Sequence, residues 1–374
     1  MKKIIVVFSN PFGYGPTGNA IPILRSLLKK TKDTDIIFAG SGLCMEITSE
    51  IPVKKVYLDE RNEDQIKKYL CNLDCPFVIG TQNRFCIKAA KKLNIPCSFV
   101  DVLAWFWKKI PEDHLLADEI FWIKFPNVRD KIPKNQGNIH IVSGIISTFP
   151  PVISKKKRLI IHIGGAKYPL SNEIPYSYLN LIAKALNMFK VGKYFDHVIV
   201  AGGSEAIHYL KQKVENKNVI LVSLAKEKFI QKLNRSIHIM TTAGVSSTLE
   251  SFSLEVPTSF LLPLNLSQVA LLDILIESNS APNYLQWDDY VKIDKNLRNM
   301  TEKDTIKKIN AYASIVDNDK KLSSKFVDDF NNMATSIPDN LKQIKLIKYI
   351  GESGADEVVD ILIEKWGLLK KING

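Results

Sequence analysis

Short apolar runs alternate with segments of helical periodicity along this chain, and the alternation occurs twice. Apolar runs of this length predict buried strands, and segments with apolar residues three and four positions apart predict helices. Strands that alternate with helices form parallel sheets, because a right-handed crossover returns the chain to the same end of the sheet. The sequence therefore predicts an α/β protein with two doubly wound domains. The predicted elements are strands 4–8, 36–39, 77–80 and 96–102 with helices 21–30, 63–73 and 84–93, and later strand 159–163, helix 176–188 and strand 197–201.

The length of 374 residues agrees with two domains, since single cores stop growing at about 250–300 residues. The chain becomes irregular near 140–158, where the basic run 155–158 reads as a solvated linker. We therefore expect a first domain at 1–150, a second at 151–335 and a C-terminal helical segment at 336–374. The sequence contains no apolar run long enough to predict a membrane span, and no pattern that predicts a signal peptide. The expected location is therefore the cytoplasm.

The five cysteines all lie in the first hundred residues. Their odd number and their apolar or helical surroundings predict buried thiols in a reducing compartment rather than disulfides or a zinc site. The cysteines are Cys44, Cys71, Cys75, Cys86 and Cys97.

The net charge of +12 permits an anionic acceptor, a membrane surface or a nucleic acid as partner. The basic residues are scattered over predicted helices and form no clear patch. Peripheral membrane or nucleic-acid contact is therefore allowed by the sequence but not indicated by it.

The stretch 242–268 carries the most information about function. A strand pattern over 236–241 leads into the small-residue turn Ala243-Gly244, and a helical pattern begins at Ser246. Such a turn leaves backbone N–H groups at the positive end of a helix dipole, an arrangement that binds phosphate. Glu250, six residues after the glycine, is placed to accept hydrogen bonds from ribose hydroxyls. The alternative is that Ser246 or Ser247 merely caps the helix and that Glu250 is solvated.

The residue order in this stretch is Gly-x-x-Ser-Thr-Leu-Glu-Ser, followed by Val-Pro and by Gln at the end of an apolar run. It resembles the C-terminal signature of UDP-dependent glycosyltransferases of the GT-B fold, and its Gly-to-Glu spacing is similar to that of the bacterial N-acetylglucosaminyltransferase that makes lipid II. The resemblance implies two Rossmann-like domains facing a cleft, with the nucleotide sugar held by the second. It assigns the diphosphate to Ser247 and Thr248. It assigns the ribose to Glu250 and the sugar hydroxyls to Ser267 and Gln268.

The sequence departs from the pattern of these glycosyltransferases at three places in the expected donor site. Thr242 stands where these enzymes often have histidine, and Ser267 stands where they have an acidic residue, with Asn265 nearby. The aromatic residue that stacks on uracil in plant-type members is missing near 224–227. These departures leave the base and the sugar open. The full expected donor set is Gly165, Thr242, Gly244, Ser246, Ser247, Thr248, Glu250, Asn265, Ser267 and Gln268.

The loop after the first predicted strand contains Gly13, Gly15 and Gly18 at the spacing of a dinucleotide fingerprint. No acidic residue follows the second strand to hold an adenosine ribose, so a nicotinamide cofactor is disfavoured. A better match is Gly18-Asn19-Ala20-Ile21-Pro22, which resembles the Gly-His-x-x-Pro of glycosyltransferase N-domains, where the histidine is the general base. Asn19 stands at that catalytic position, and an amide is no base at neutral pH. The expected acceptor-binding residues are Tyr14, Gly15, Thr17 and Trp105.

A general base therefore has to come from elsewhere in the first domain. Asp101 ends the predicted strand 96–102 and precedes an aromatic segment that includes Trp105. Apolar neighbours raise the pKa of a carboxyl by desolvation, which suits a base. The alternative is that Asp101 caps a helix and the tryptophans belong to the core. His114 is the second candidate, expected in an exposed acidic loop.

The hypothesis from the sequence is an inverting, metal-independent glycosyltransferase that uses a nucleotide-diphosphate sugar, with UDP the expected nucleotide. It requires no cofactor beyond this co-substrate, and the acceptor is not identified. Asp33-Thr34-Asp35 has the form of a metal-binding motif, but it precedes a predicted strand as a turn does. The alternatives are a nucleotide-sugar 2-epimerase or hydrolase of the same fold, or a catalytically silent subunit that binds a nucleotide sugar.

Overall fold

The computed structural model describes residues 3–167 and 173–367. Two compact units make up the chain: unit 1 contains residues 1–147 and 348–374, and unit 2 contains residues 148–347. Each unit is built on its own parallel sheet.

The described elements follow one another in strand–helix alternation for most of the chain. The strands are β1 (Lys3–Ser9), β2 (Thr34–Gly40), β3 (Lys54–Tyr57), β4 (Pro76–Thr81), β5 (Cys97–Asp101), β6 (Glu119–Ile123), β7 (Ile139–Val142), β8 (Lys156–His162), β9 (His197–Ala201), β10 (Val219–Val222), β11 (Ser236–Thr241) and β12 (Thr258–Phe260). The helices are α1 (Gly15–Lys30), α2 (Gly42–Ile47), α3 (Glu63–Leu70), α4 (Arg84–Lys92), α5 (Tyr176–Met188), α6 (Val191–Tyr194), α7 (Ser204–Lys213), α8 (Lys226–Asn234), α9 (Val245–Ser253), α10 (Leu266–Glu277), α11 (Glu302–Asn318), α12 (Lys320–Thr335), α13 (Leu341–Ile350) and α14 (Gly354–Trp366).

The sheet of unit 1 has the strand order β3-β2-β1-β4-β5-β6-β7 among the described residues, and all its pairings are parallel. The central strand β1 contributes Ile5, Val6, Val7 and Phe8, each with no exposed surface. A parallel sheet covered on both faces needs such continuous apolar strands. The strand order reverses between β1 and β4, so the carboxyl ends of these two strands form the crevice where α/β sheets bind ligands.

The C-terminal helix α14 packs against α1 within unit 1. Asp356 accepts a hydrogen bond from Ser26 Oγ at 2.5 Å and pairs with Lys30 at 3.3 Å. Gly354 begins the helix where a Cβ atom would lie 2.0 Å from the carbonyl oxygen of Ser143, so the close approach requires glycine. We expected the returning segment to start at residue 336, whereas the part grouped with unit 1 starts at Lys348.

Unit 2 has a sheet of order β10-β9-β8-β11-β12 in its described part, again parallel throughout. The order reverses between β8 and β11. Ligands of doubly wound sheets bind at such a reversal, outside the carboxyl ends of the strands. We therefore expect the loops that follow β8 and β11 to form the binding site of unit 2.

Three local expectations were wrong. The basic run 155–158 is not a linker, because β8 already begins at Lys156. The loop after β1 is shorter than expected, since α1 begins at Gly15 with Pro16 in its first turn, where the missing N–H of proline does no harm. Cys71 and Cys75 are exposed, whereas Cys44, Cys86 and Cys97 are buried as expected.

No helix in 3–167 or 173–367 has both the length and the apolar character needed to span a bilayer.

Acid should weaken unit 2 through His238, a fully buried side chain of β11. Its ring nitrogens contact the carbonyl of Ala334 at 3.2 Å and the hydroxyl of Ser259 at 2.9 Å. Burial lowers the pKa of His238 to about 4, against the opposing effect of the Ala334 carbonyl. Because the unfolded chain binds a proton near pH 6.5 and the folded chain does not, this stability is present above pH 6.5 and is lost as the pH falls toward 4.

Between pH 7 and pH 5 the expected loss from His238 is about 2 kcal/mol of unfolding free energy. Urea unfolding of the wild-type protein and His238→Gln at both pH values measures it: the variant should lose about 2 kcal/mol less than the wild type. His208→Gln is the matched control, since His208 is exposed on α7. Equal pH dependence in the wild type and His238→Gln would contradict the expectation.

Candidate functional site

Two tight glycine loops border the strand reversal of unit 2. Gly164, after β8, adopts a φ of 64°, and its carbonyl accepts a hydrogen bond from the N–H of Gly203 at 3.0 Å. A Cβ atom on Gly203 would lie 2.3 Å from the carbonyl oxygen of Gly165. The positive φ and the close contact require glycine at these positions, and they bring the backbones of the two loops together beside the expected donor residue Gly165.

The loop after β11 leads directly into the helix that the sequence predicted. Gly244 is the N-cap of α9, and its carbonyl accepts the N–H of Thr248 at 3.0 Å. The first N–H groups of any α-helix have no acceptor within the helix, and Gly244 and Val245 are only half-buried. This end of α9 therefore offers backbone donors and a positive dipole end at the strand reversal.

The hydroxyl side chains of this turn differ in their hydrogen bonding. Ser247 Oγ donates to the carbonyl of Gly244 at 3.2 Å and lies 3.3 Å from the Thr241 hydroxyl, so it supports the turn itself. Thr248 is 1% exposed, and its Oγ1 has no hydrogen-bond partner among the described residues. A buried hydroxyl without a partner loses about 1–3 kcal/mol of hydration, which a ligand oxygen would restore. Thr242 and Ser246 are buried at the same edge.

Glu250 is neither solvated nor open to a ligand by itself. It has no exposed surface, and Lys226 Nζ lies 2.5 Å from its Oε2. Lys226 begins α8, and its side chain is 11% exposed. No sequence pattern singles out this lysine, because its partner lies 24 residues away on another helix. The structure thus adds a cation to the edge that carries the N-terminus of α9.

His162 ends β8 beside this ion pair. Its Nδ1 lies 3.2 Å from the Thr241 hydroxyl, and its ring packs on Phe229 at a centroid distance of 4.6 Å. Burial, together with the charge of Lys226, lowers the pKa of His162 to about 3. The imidazole is therefore neutral at neutral pH and presents no positive charge of its own.

The residues expected to hold the sugar form the start of α10. Asn265 is its N-cap and accepts the N–H of Gln268 and the hydroxyl of Ser267, both at 2.9 Å. Gln268 Oε1 accepts the N–H of Leu264 at 2.8 Å. Ser267 and Gln268 are partly exposed. The N–H of Leu261 donates to the carbonyl of Thr241 at 2.9 Å, so the loops leading to α9 and α10 leave the sheet side by side.

At the reversal of unit 1, the expected acceptor residues differ in access. Tyr14 donates to Glu46 Oε1 at 2.5 Å, and Gly15 is exposed at the start of α1. Thr17 has no exposed surface and lies 2.7 Å from the hydroxyl of Ser9. Trp105 is 6% exposed and stacks on a neighbouring ring in the core. The Thr17 hydroxyl and the Trp105 indole N–H already have partners within unit 1, which argues against direct acceptor contacts by these two residues. Tyr14 is half-buried and Gly15 is exposed.

Asn19, at the position of the family's catalytic histidine, has a structural partner. It is 1% exposed, and its Nδ2 donates to the carbonyl of Ile145 at 2.7 Å. This bond ties α1 to the segment after β7 within unit 1. The amide is therefore occupied by the fold and offers no proton acceptor to a substrate.

Asp101 and His114, considered separately from the sequence, form a pair. Asp101 has no exposed surface, and its Oδ2 lies 3.0 Å from His114 Nδ1. The same carboxylate accepts the N–H of Leu103 at 2.8 Å and the indole N–H of Trp107 at 3.1 Å. Asp101 therefore does not cap a helix, and every one of its contacts is internal.

The expectation that His114 lies in an exposed loop was wrong. It belongs to the 3₁₀ turn Glu112–Leu115 and is 8% exposed. Its ring lies between Phe99 and Trp107, at centroid distances of 4.8 and 5.3 Å. Because Asp101 accepts at Nδ1, that nitrogen carries the proton of the neutral ring, and Nε2 is left with its lone pair. No described residue forms a hydrogen bond with Nε2.

Comparison with known proteins places this architecture in a class. No protein-family model and no curated protein matches the chain. Among solved structures, a UGT protein of Arabidopsis thaliana complexed with UDP is similar with a TM-score of 0.61 and 13% identity, over 98% of this chain and all of that one. A UDP co-structure of S. aureus MnaA matches with a TM-score of 0.56 and 14% identity, over 99% of this chain and 98% of that chain.

A UDP-GlcNAc 2-epimerase of Methanocaldococcus jannaschii, in complex with UDP-GlcNAc and UDP, matches with a TM-score of 0.54 and 16% identity over 97% of this chain and 99% of that chain. These similarities cover both units and establish the fold. The protein has the GT-B fold, as its sequence predicted. The fold is shared by glycosyltransferases and by 2-epimerases, so the activity has to be argued from the site.

Proposed function

We propose that this protein transfers a sugar from a nucleoside diphosphate sugar, with UDP the expected nucleotide, to an acceptor hydroxyl. The observation that carries the proposal is the N-terminus of α9 at the strand reversal of unit 2, with the buried and unpartnered Thr248 hydroxyl beside it. Backbone N–H groups, a helix dipole and a hydroxyl donor together bind a diphosphate.

In transfer, the bond between the anomeric carbon and the diphosphate oxygen breaks, and negative charge grows on the departing diphosphate. The N–H of Val245 and the hydroxyl of Thr248 are fixed by the fold before the reaction begins. Preorganised dipoles stabilise developing charge without having to reorient, which is the largest catalytic effect in many enzymes. We expect this end of α9 to provide that stabilisation without a required metal, so EDTA should not reduce the rate.

Lys226 and Glu250 act together in this proposal. The buried carboxylate holds the ammonium group at 2.5 Å, so Lys226 is the member of the pair with accessible surface. We assign Lys226 the contact with the nucleotide and Glu250 the positioning of Lys226. A direct contact of Glu250 with ribose would need the lysine to move aside.

His114 is the proposed base on the acceptor side, with Asp101 as its positioning residue. A buried carboxylate at Nδ1 fixes the imidazole tautomer and stabilises the imidazolium that forms, so that Nε2 accepts the proton. The acceptor oxygen would then attack the anomeric carbon from the face opposite the diphosphate, and the configuration at that carbon would invert. The assignment moves the proton-accepting role from Asp101 itself to the ring that Asp101 orients.

Product analysis tests the reaction class. The protein is incubated with UDP-glucose or UDP-N-acetylglucosamine, with and without a panel of hydroxylated acceptors, and products are identified by NMR and mass spectrometry. Transfer predicts UDP release and a glycosylated product only when an acceptor is present. A changed configuration at C2 without acceptor would show an epimerase, release of free sugar a hydrolase, and no turnover with intact nucleotide binding a silent subunit.

A further inference from the structure

The start of α10 has a carboxylate that the sequence pattern did not reveal. Glu302 is the first residue of α11, and its Oε1 accepts the N–H of Leu266 at 3.3 Å. Leu266 is the first residue of α10, between Asn265 and Ser267. Glu302 therefore lies beside the residues expected to contact the donor sugar, although it is about 35 positions further along the chain.

One oxygen of this carboxylate is available. The only hydrogen bond that Glu302 forms with described residues uses Oε1. Oε2 is not one of the described buried polar atoms that lack a partner, so it keeps some exposed surface. The residue as a whole is half-buried. Burial raises the pKa of Glu302 to about 7, opposed by the Leu266 N–H. The carboxylate thus has few donors around it, and hydroxyl groups of a ligand would supply them.

The position of α10 relates this carboxylate to the diphosphate site. β11 and β12 are neighbouring parallel strands, and neighbouring strands lie about 4.8 Å apart. α9 follows β11 and α10 follows the loop after β12, so both helix N-termini lie at the same edge of the sheet. A sugar attached to a diphosphate at α9 is therefore within reach of groups at the start of α10.

Ser267 occupies the place where the resembling enzymes have an acidic residue, and a neutral serine hydroxyl accepts weaker hydrogen bonds from sugar hydroxyls than a carboxylate does. We propose that Glu302 fills this role from the neighbouring helix and determines sugar specificity by accepting hydrogen bonds from hydroxyl groups of the donor sugar. The proposal rests on the proposed function, since it assumes that a nucleotide sugar binds at α9.

The test compares UDP with UDP-glucose, UDP-galactose and UDP-N-acetylglucosamine by isothermal titration calorimetry. Glu302→Gln keeps a carbonyl oxygen for the Leu266 N–H but removes the charge. For the sugar that the wild type binds best, we expect this variant to lose about tenfold in UDP-sugar affinity with unchanged UDP affinity. Asp304→Asn, an exposed residue in the same helical turn, is the matched control and should change neither affinity.

The outcomes separate this proposal from the one on which it rests. If the wild type binds UDP but Glu302→Gln keeps the full preference for the UDP-sugar, Glu302 does not recognise the sugar and the nucleotide site stands. Equal losses for UDP and UDP-sugar would show that Glu302 only supports the start of α10, and would likewise overturn the proposal. If the wild-type protein binds no UDP, both the Glu302 proposal and the proposed function are contradicted.

Discussion

Replacing His114 with alanine is expected to slow sugar transfer about a hundredfold to ten-thousandfold, the usual contribution of a general base. The physical reason is the loss of the Nε2 lone pair. Asp101 Oδ2 orients this lone pair through its contact with Nδ1 of the same ring at 3.0 Å. Affinity for UDP should stay within a factor of two, because the donor contacts belong to unit 2. The measurement is the initial rate of UDP release with a saturating acceptor, together with UDP affinity by calorimetry.

Two further variants sharpen this prediction. Asp101→Asn should reduce the rate by a similar factor, because an amide no longer fixes the protonated Nδ1 of His114. His140→Gln is the matched control: His140 also pairs with a carboxylate, Glu119 at 2.6 Å, but in β7, and its replacement should leave the rate unchanged. Near-normal turnover in His114→Ala would reject this base and favour an acceptor that is already anionic.

Replacing Lys226 with methionine should destabilise the protein by about 3–5 kcal/mol, because Glu250 would remain as a buried charge without its counter-ion. Glu250→Ala should also destabilise the protein, because Lys226 then loses its carboxylate partner. Replacing a solvated glutamate would leave the fold intact. The double variant Lys226→Met, Glu250→Gln should recover most of the lost stability, since no unpaired charge is left. Urea unfolding of the three proteins measures the effect.

The same substitution at an exposed pair serves as the control. Lys325 lies 2.8 Å from Asp329 on α12, with 47% of its side chain exposed. Lys325→Met should therefore change stability by no more than about 0.5 kcal/mol. If Lys226→Met and Lys325→Met were equally mild, Glu250 would have to be hydrated or protonated in the folded protein, and the positioning role assigned to it would fail.

The sequence predicted the fold where the physical signal is local and strong. β11 has the predicted bounds, and α9 begins one residue before the predicted start, because an apolar strand, a small-residue turn and a helical pattern follow one another there. β3 was missed because it is a half-exposed strand with two lysines at the sheet edge. β6 and β7 were missed because no α-helix separates them from the preceding strand, so the alternation gives no signal.

The site residues were less predictable, because their roles depend on contacts between distant parts of the chain. Asp101 and His114 were both candidates, but they lie 13 positions apart in the sequence and only the folded chain brings them together. Lys226 could not be found, because its ion pair with Glu250 joins two helices. Asn19 and Trp105 looked accessible as loop residues, and the structure buries both in unit 1.

The central claim is that the N-terminus of α9 binds the diphosphate of UDP, and the affinity for UDP of Thr248→Val tests it most directly. Valine keeps the shape of the side chain and removes only the unpartnered hydroxyl. A lost hydrogen bond to a charged phosphate should weaken UDP binding about tenfold to a hundredfold, with no loss of stability in the ligand-free protein. Thr81→Val, which removes a buried, unpartnered hydroxyl in unit 1, is the control and should leave UDP affinity unchanged. Absence of UDP binding at millimolar concentration, or equal affinity in Thr248→Val and the wild type, would contradict the account.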